Sequence, residues 1–318
     1  MLTRFLLPFL ALLAGASTHA PAAAATPVAL VARMNNAVRD LDYQGSFVYE
    51  HGGRIDALRI FHAGGSVERE RLVSVSGPRS EVIRHGATVT CLPGSEHAVL
   101  LAGGSNTRLL PLVPRLQGRA LQHYVLRDAG EDRVAGYAAR VIDVVPRDAW
   151  RYGYRLWIEE GATLLLRSAV IDARQRILEQ FMFVALEIGS PPSEGDLAPS
   201  GESGLVASPD ELPLRQPHWR VGEIPPGFSL ARVQRPGKAA NGVEHQIYSD
   251  GIASVSVYIE PAGAAASADR DLTHGVISLH AHTQDGWQVT AVGDVPRATV
   301  ERMAASVLAT GVAALKRD

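Results

Sequence analysis

Two stretches in the first two thirds of this chain carry apolar side chains on both faces of a strand-like alternation, which restricts the architectures open to it. In "RYGYRLWIEE" (151–160), Tyr152, Tyr154, Leu156 and Ile158 form one face, while Trp157 lies on the other between Arg155 and Glu159. In "ILEQFMFVALEI" (177–188), Phe181 and Phe183 alternate with Met182, Val184 and Leu186. An antiparallel strand with one solvated face alternates cleanly between apolar and polar. Here both faces need cover. Helices cover one; the other meets a second packed sheet or lines the inside of a curved, partly open barrel. A packed sandwich holds no ligand. A half-barrel with an apolar concave face holds an acyl chain, worth about 0.8 kcal/mol per buried methylene. The pattern leaves both architectures open. The apolar strand positions for such a cavity are Phe47, Leu58, Ile60, Tyr154, Leu156, Leu166, Val170, Phe181 and Phe183. Face parity alone does not say which of them point inward.

Around these stretches the chain divides in two. Residues 189–216 are half Gly, Pro or Ser, with five acids and one arginine, and read as a linker too poor in apolar groups to order itself. The N-terminal part, 26–188, opens with one amphipathic helix whose stripe is Leu30, Val31, Met34, Ala37, Val38 and Leu41. Strands are expected at 43–50 and 54–62 about the turn His51-Gly52-Gly53, then at 66–76, 79–85, 87–92 and 96–101. A short helix near Leu121 precedes strands at 133–146, 151–159, 163–172 and 177–188. The C-terminal part, 217–318, shows strands at 228–235, 243–249, 252–260 and 287–293. A closing helix carries Val300, Met303, Ala304, Val307 and Leu308 on one face, and Gly311 stops it. The expected class is mostly β or α+β.

Arg4, the apolar run at 5–16 and the small residues up to Ala25 describe an export signal, so 1–25 are set apart from the fold and the rest is expected to be soluble and exported. The single cysteine, Cys91, excludes an internal disulfide and a cysteine-based zinc site. A net charge of −2 argues against general nucleic-acid binding, which needs a concentrated basic face. The catalytic inventory is poor: the chain has no G-x-S-x-G, H-E-x-x-H, Walker A or G-x-G-x-x-G pattern. His274, His280 and His282 read as polar surface rather than metal ligands, and Glu68/Glu70 alternate with arginines like a solvated face. No catalytic residue, metal or cofactor is expected. In "SVSGPRSEVIRHG" (74–86), Gly77-Pro78 marks a tight turn with Arg79, Glu81 and Arg84 beyond it.

Five stretches in order resemble the RseB/MucB family: "YQGSFVYEHGG", "RLVSVSGPRSEVIR", "YRLWIEEGATLLLRSAVIDARQRILEQFMF", "HQIYSDGIASVSVYIEP" and "VTAVGDVPRATVERMAASV". The resemblance implies an incompletely closed antiparallel half-barrel with plugging helices, similar to the periplasmic lipoprotein carriers, followed by a smaller α+β domain. It implies a regulator of the sigma-E (AlgU) envelope stress response. Such a regulator binds the periplasmic segment of a membrane-spanning, RseA/MucA-like anti-sigma factor and shields it from proteolysis. Release is triggered by lipopolysaccharide or a lipoprotein acyl chain. On that reading Arg79 and Arg84 meet lipid phosphate or acidic groups of the partner, and Trp219, Phe228, Tyr248 and Tyr258 offer it an apolar surface. A second copy of the chain is a further candidate partner. A lipid carrier and, more remotely, a hydrolase with a site between the domains are the competing readings.

Overall fold

The computed structural model describes residues 25–91, 109–201, 206–207, 216–235, 242–263 and 269–310. The expected export signal, except for its last residue, and the strand expected at 96–101 lie outside them. Helix α1 (Pro27–Asp40) starts where predicted: Pro27 opens it, and the Thr26 hydroxyl accepts from the amide of Ala29 at 3.3 Å. Leu30, Val31, Met34, Ala37 and Val38 form its buried stripe. No helix among the described residues is long and apolar enough to cross a membrane.

The N-terminal strands are β1 (Tyr43–His51), β2 (Arg54–Ala63), β3 (Arg69–Ser74), β4 (Glu81–His85), β5 (Thr88–Cys91), β6 (Tyr124–Val134), β7 (Tyr137–Pro146), β8 (Gly153–Glu159), β9 (Leu165–Ile171) and β10 (Ile177–Ile188). With the two-residue β11 (Val206–Ala207) they form one antiparallel sheet in the order β11-β5-β4-β3-β2-β1-β10-β9-β8-β7-β6. The outer strands β11 and β6 are not paired with each other, so the barrel stays open. Bulges at Ser46/Phe47, Asp128/Glu131 and Trp157/Ile158 bend the strands around α1, which plugs the concave face.

The two apolar faces are thus covered differently. The concave one packs on α1 and on Leu109, Leu110 and Leu116. Among the described residues no second sheet packs on the convex one, around Val141, Trp157 and Ala169; the Arg167 guanidinium lies 4.1 Å above the Trp157 ring instead.

Two expectations fail here for local reasons. Strand β6 runs from Tyr124, not from 133: "YVLRDAGEDRV" carries five charged residues, as suits an edge strand that pairs with β7 alone. The expected linker is partly folded. Helix α2 (Glu194–Leu197) is closed by a Ser193–Asp196 capping box, and it buries Leu197 against Phe61 and Ala63 on the convex face. Ser200 then bonds Glu81. Arg69 pairs with Glu194 and Arg71 donates to the Asp196 carbonyl, so Leu197 and these polar contacts together strap this segment to the sheet.

In the C-terminal domain, β13 (Ser229–Gln234), β14 (Glu244–Ser249), β15 (Ser254–Pro261), β16 (Arg270–His274), β17 (Ile277–Gln284) and β18 (Trp287–Gly293) pair in the order β13-β14-β15-β18-β17-β16. Helix α3 (Arg297–Ala305) packs on β17 and β18. It ends earlier than its apolar pattern predicts. Val307 and Leu308 belong to β19 (Val307–Ala309), paired with β12 (Trp219–Val221).

Candidate functional site

Among the described residues, two clusters of contacts stand out between the domains. At the first, Arg151 reaches out of the β7–β8 connection with its side chain fully buried. It bonds Asp148 at 3.0 Å and, across the junction, the carboxylate of Asp250 and the carbonyl of Pro226. The guanidinium also lies 5.2 Å over the Phe228 ring, and Thr299 Oγ1 donates to the Trp150 carbonyl at 2.9 Å. Gly227, with φ of +89°, comes so close that a Cβ there would run into the His123 ring.

At the second, the turn between β16 and β17 touches the end of β1. The Val276 amide donates to Glu179 Oε1 at 3.4 Å, and Tyr49 Oη donates to Glu179 Oε2 at 2.9 Å. Burial pushes the Glu179 carboxyl above the usual range, and those two hydrogen bonds only partly oppose it. Gly52, with φ of +53°, lies against His274 with no space for a Cβ.

This second contact borders a cavity of about 610 Å³, within the range of small-molecule sites. Its floor is Leu58, Leu72 and Val82, and its rim holds His51, Arg54 and His274. The Gly77-Pro78 turn forms part of the lip. A second cavity, of about 490 Å³, lies beside Arg151 and is lined by Tyr152, Tyr154, Arg147 and Pro296 among others.

The expected cavity residues separate. Phe47, Phe181 and Phe183 form an edge-to-face triad with ring centroids 5.7–6.0 Å apart, fully buried with Ile60 and Leu156. They fill the centre of the half-barrel with the protein's own side chains. Neither of the two cavities reaches them. Leu58 lines the first cavity and Tyr154 the second. Val170 pairs with Tyr154 and shares its face. Leu166 does not. It is the extra residue of the bulge opposite Trp157/Ile158, and it packs on the convex face with Trp157.

The expected partner surface separates too. Arg79 is exposed and bonds Ser200 Oγ at 2.7 Å. Arg84 is turned inward: it ion-pairs with Glu68 and Glu70, each at 2.7 Å. Trp219, Phe228 and Tyr248 are core residues of the C-terminal domain and offer no open surface. Tyr258 is half-buried and stacks on His245 at 4.1 Å.

The Glu68/Glu70 pair is not a solvated face. The register His62↔Glu70↔Arg84 sets these residues on the concave side, where His62 and Glu70 are fully buried and the His62 ring stacks on Tyr43 at 4.4 Å. Burial pushes the Glu68 carboxyl up, but hydrogen bonds from His62 and Arg84 outweigh it and hold it at about 2. Burial alone raises the Cys91 thiol, as suits an inert core residue. Sequence reasoning missed Arg151, Asp250 and Glu179, because each acts through a partner distant in the chain, and His62, whose place beside Glu70 depends on the β2–β3 register.

Comparison with known proteins follows the same division. The family model for the MucB/RseB N-terminal domain matches residues 26–201, and that for the MucB/RseB C-terminal domain matches 213–308. The chain is 35% identical to the sigma factor AlgU regulatory protein MucB of Pseudomonas aeruginosa over 284 residues, covering 86% of this chain and 88% of that protein. It is 29% identical to the sigma-E factor regulatory protein RseB of Escherichia coli K12 over 307 residues, covering 94% and 96%. Among solved structures, MucB in complex with MucA(peri) superimposes with a TM-score of 0.73 at 32% identity, covering 89% of this chain and 98% of that one. The Pseudomonas aeruginosa MucA/MucB complex gives 0.76 at 33%, covering 90% and 100%.

Proposed function

The chain belongs to the MucB/RseB family, and from that premise we propose that it is a periplasmic regulator that binds the periplasmic segment of an anti-sigma factor through both domains. It acts by binding, not by catalysis. An acyl chain of lipopolysaccharide or of a lipoprotein enters the cavity at the domain junction and lowers affinity for that segment. The observation that carries this reading is the position of the cavity. It lies where the β16–β17 turn of one domain rests on β1 and Glu179 of the other, so an occupant acts on the domain arrangement that a two-domain partner grips. The floor of Leu58, Leu72 and Val82 suits an acyl chain, and exposed Arg54 at the rim suits an anionic headgroup.

The coupling is reciprocal: a ligand that weakens the partner is itself weakened by it to the same degree. Calorimetric titration of the protein with the cognate anti-sigma periplasmic segment, repeated with a lauroyl-chain lipid present, tests both halves. The expected result is a one-to-one complex whose dissociation constant rises at least about tenfold with lipid, some 1.4 kcal/mol of coupling. No complex at tens of micromolar removes the regulator reading. A complex indifferent to saturating lipid removes the lipid signal alone.

A further inference from the structure

We propose that His62, Glu68 and Glu70 form a binding site for one divalent cation of the zinc class on the concave face of the N-terminal sheet. The chain has a single cysteine and therefore no internal disulfide, and this site is its staple. Three features carry the assignment.

The first is the orientation of the imidazole. His62 Nδ1 lies 2.7 Å from the Leu41 carbonyl and donates there, which turns Nε2 to the two glutamates; without metal Nε2 carries the proton that Glu68 accepts, and a cation binds by displacing that proton. Metal-binding histidines are held in this way by an outer-shell acceptor. The second is spacing. Nε2 is 3.0 Å from Glu68 Oε1 and 3.8 Å from Glu70 Oε1, and the three donor atoms lie within 4.8 Å of one another. Donors about 2.1 Å from a tetrahedral cation stand about 3.4 Å apart. The third is an unsatisfied atom. Glu70 is fully buried, and its Oε1 has no hydrogen-bond partner. Its Oε2 accepts from Arg84 Nε at 2.8 Å and from the Leu109 amide at 3.2 Å. That oxygen stands 3.8 Å from His62 Nε2, too far for a hydrogen bond, and a cation seated between the two would satisfy it.

One imidazole and two carboxylates make a donor set that zinc accepts. Arg84 balances part of the carboxylate charge and fixes both side chains. A cation here ties β2 to β3 and, through Leu41 and Leu109, to the exit of α1 and the segment that covers the concave face. Such a site exists only in the folded chain, so loading it stabilises the fold by mass action.

The test is calorimetric titration of the metal-stripped protein with zinc chloride in a non-chelating buffer, with cobalt(II) absorption as a second probe. One equivalent binds, and zinc raises the thermal midpoint. His62→Gln and Glu70→Gln each weaken binding by more than the roughly 10- to 100-fold expected from loss of an outer-shell partner. His280→Ala, which disrupts the exposed Asp271–His280–Glu301 group, leaves the titration unchanged. Absence of stoichiometric binding overturns the proposal, as does binding that His280→Ala abolishes. Should the core variants fail to fold, histidine-selective nitrogen NMR of the unaltered protein decides. Zinc must shift Nε2 of His62 and leave Nδ1 protonated; a His62 that stays doubly protonated under excess zinc shows that a proton, not a metal, fills the gap.

Discussion

The two contacts between the domains are built from different physics. The Arg151 contact is buried and charged: a fully buried guanidinium engages Asp148, Asp250 and a backbone carbonyl, with an aromatic ring beneath it. The Glu179 contact has one long hydrogen bond of 3.4 Å from Val276 and the close approach of Gly52 to the His274 ring, beside the cavity floored by Leu58, Leu72 and Val82. The first arrangement is a fastener. Removing one partner leaves the other charge buried and unpaired. The second is a latch, weak enough for a ligand of modest affinity to displace. A molecule that has both can change its domain arrangement without coming apart, because one contact keeps the domains together while the other yields.

The largest effect should follow from breaking the fastener. Arg151→Ala leaves Asp250 buried without its counter-charge, a loss of about 3–5 kcal/mol. Calorimetry should then show two unfolding transitions in place of one, and affinity for the anti-sigma segment should fall. A single unchanged transition would mean that Arg151 does not hold the domains. A smaller effect should appear at the latch. Glu179 has a folded-state value above its unfolded one, so the folded protein holds a proton there that the unfolded chain releases. The stability it contributes is fully present below the unfolded value of about 4.5 and is lost as pH rises through the raised folded one. Glu179→Gln, uncharged throughout, should flatten this part of the pH–stability profile while leaving the Arg151 contact intact. An unaltered slope would show that the carboxyl is not the source.

The fastener and the latch also differ in how far the chain announces them. Strands with a clean alternation, such as Tyr43–His51 and Ser254–Pro261, are legible because local pattern and burial agree. So is the division into two parts, although Leu197 and the Ser193 cap hold part of the expected linker to the sheet. Leu166 lies on the opposite face from Val170 because one bulged residue reverses face parity, and parity is all that a strand pattern offers. Glu70 read as solvent-facing because Arg-Glu alternation looks the same on either side of a sheet; only the pairing with His62 and Arg84 turns it inward. The Phe47, Phe181 and Phe183 positions were recognisable as apolar, but their mutual packing, which closes the centre of the half-barrel, depends on a register between distant strands. Arg151 and Asp250 are ninety-nine residues apart, and nothing local marks either.

The central claim is that the cavity governs the latch and spares the fastener. Hydrogen exchange of the Val276 amide, followed with and without a saturating lauroyl-chain lipid, tests it most directly. The account predicts that lipid speeds exchange at Val276 at least about tenfold, while protection in the segments flanking Asp250 and Trp150 stays constant. Lipid that binds yet leaves Val276 as protected as before, or that loosens both contacts together, would contradict it.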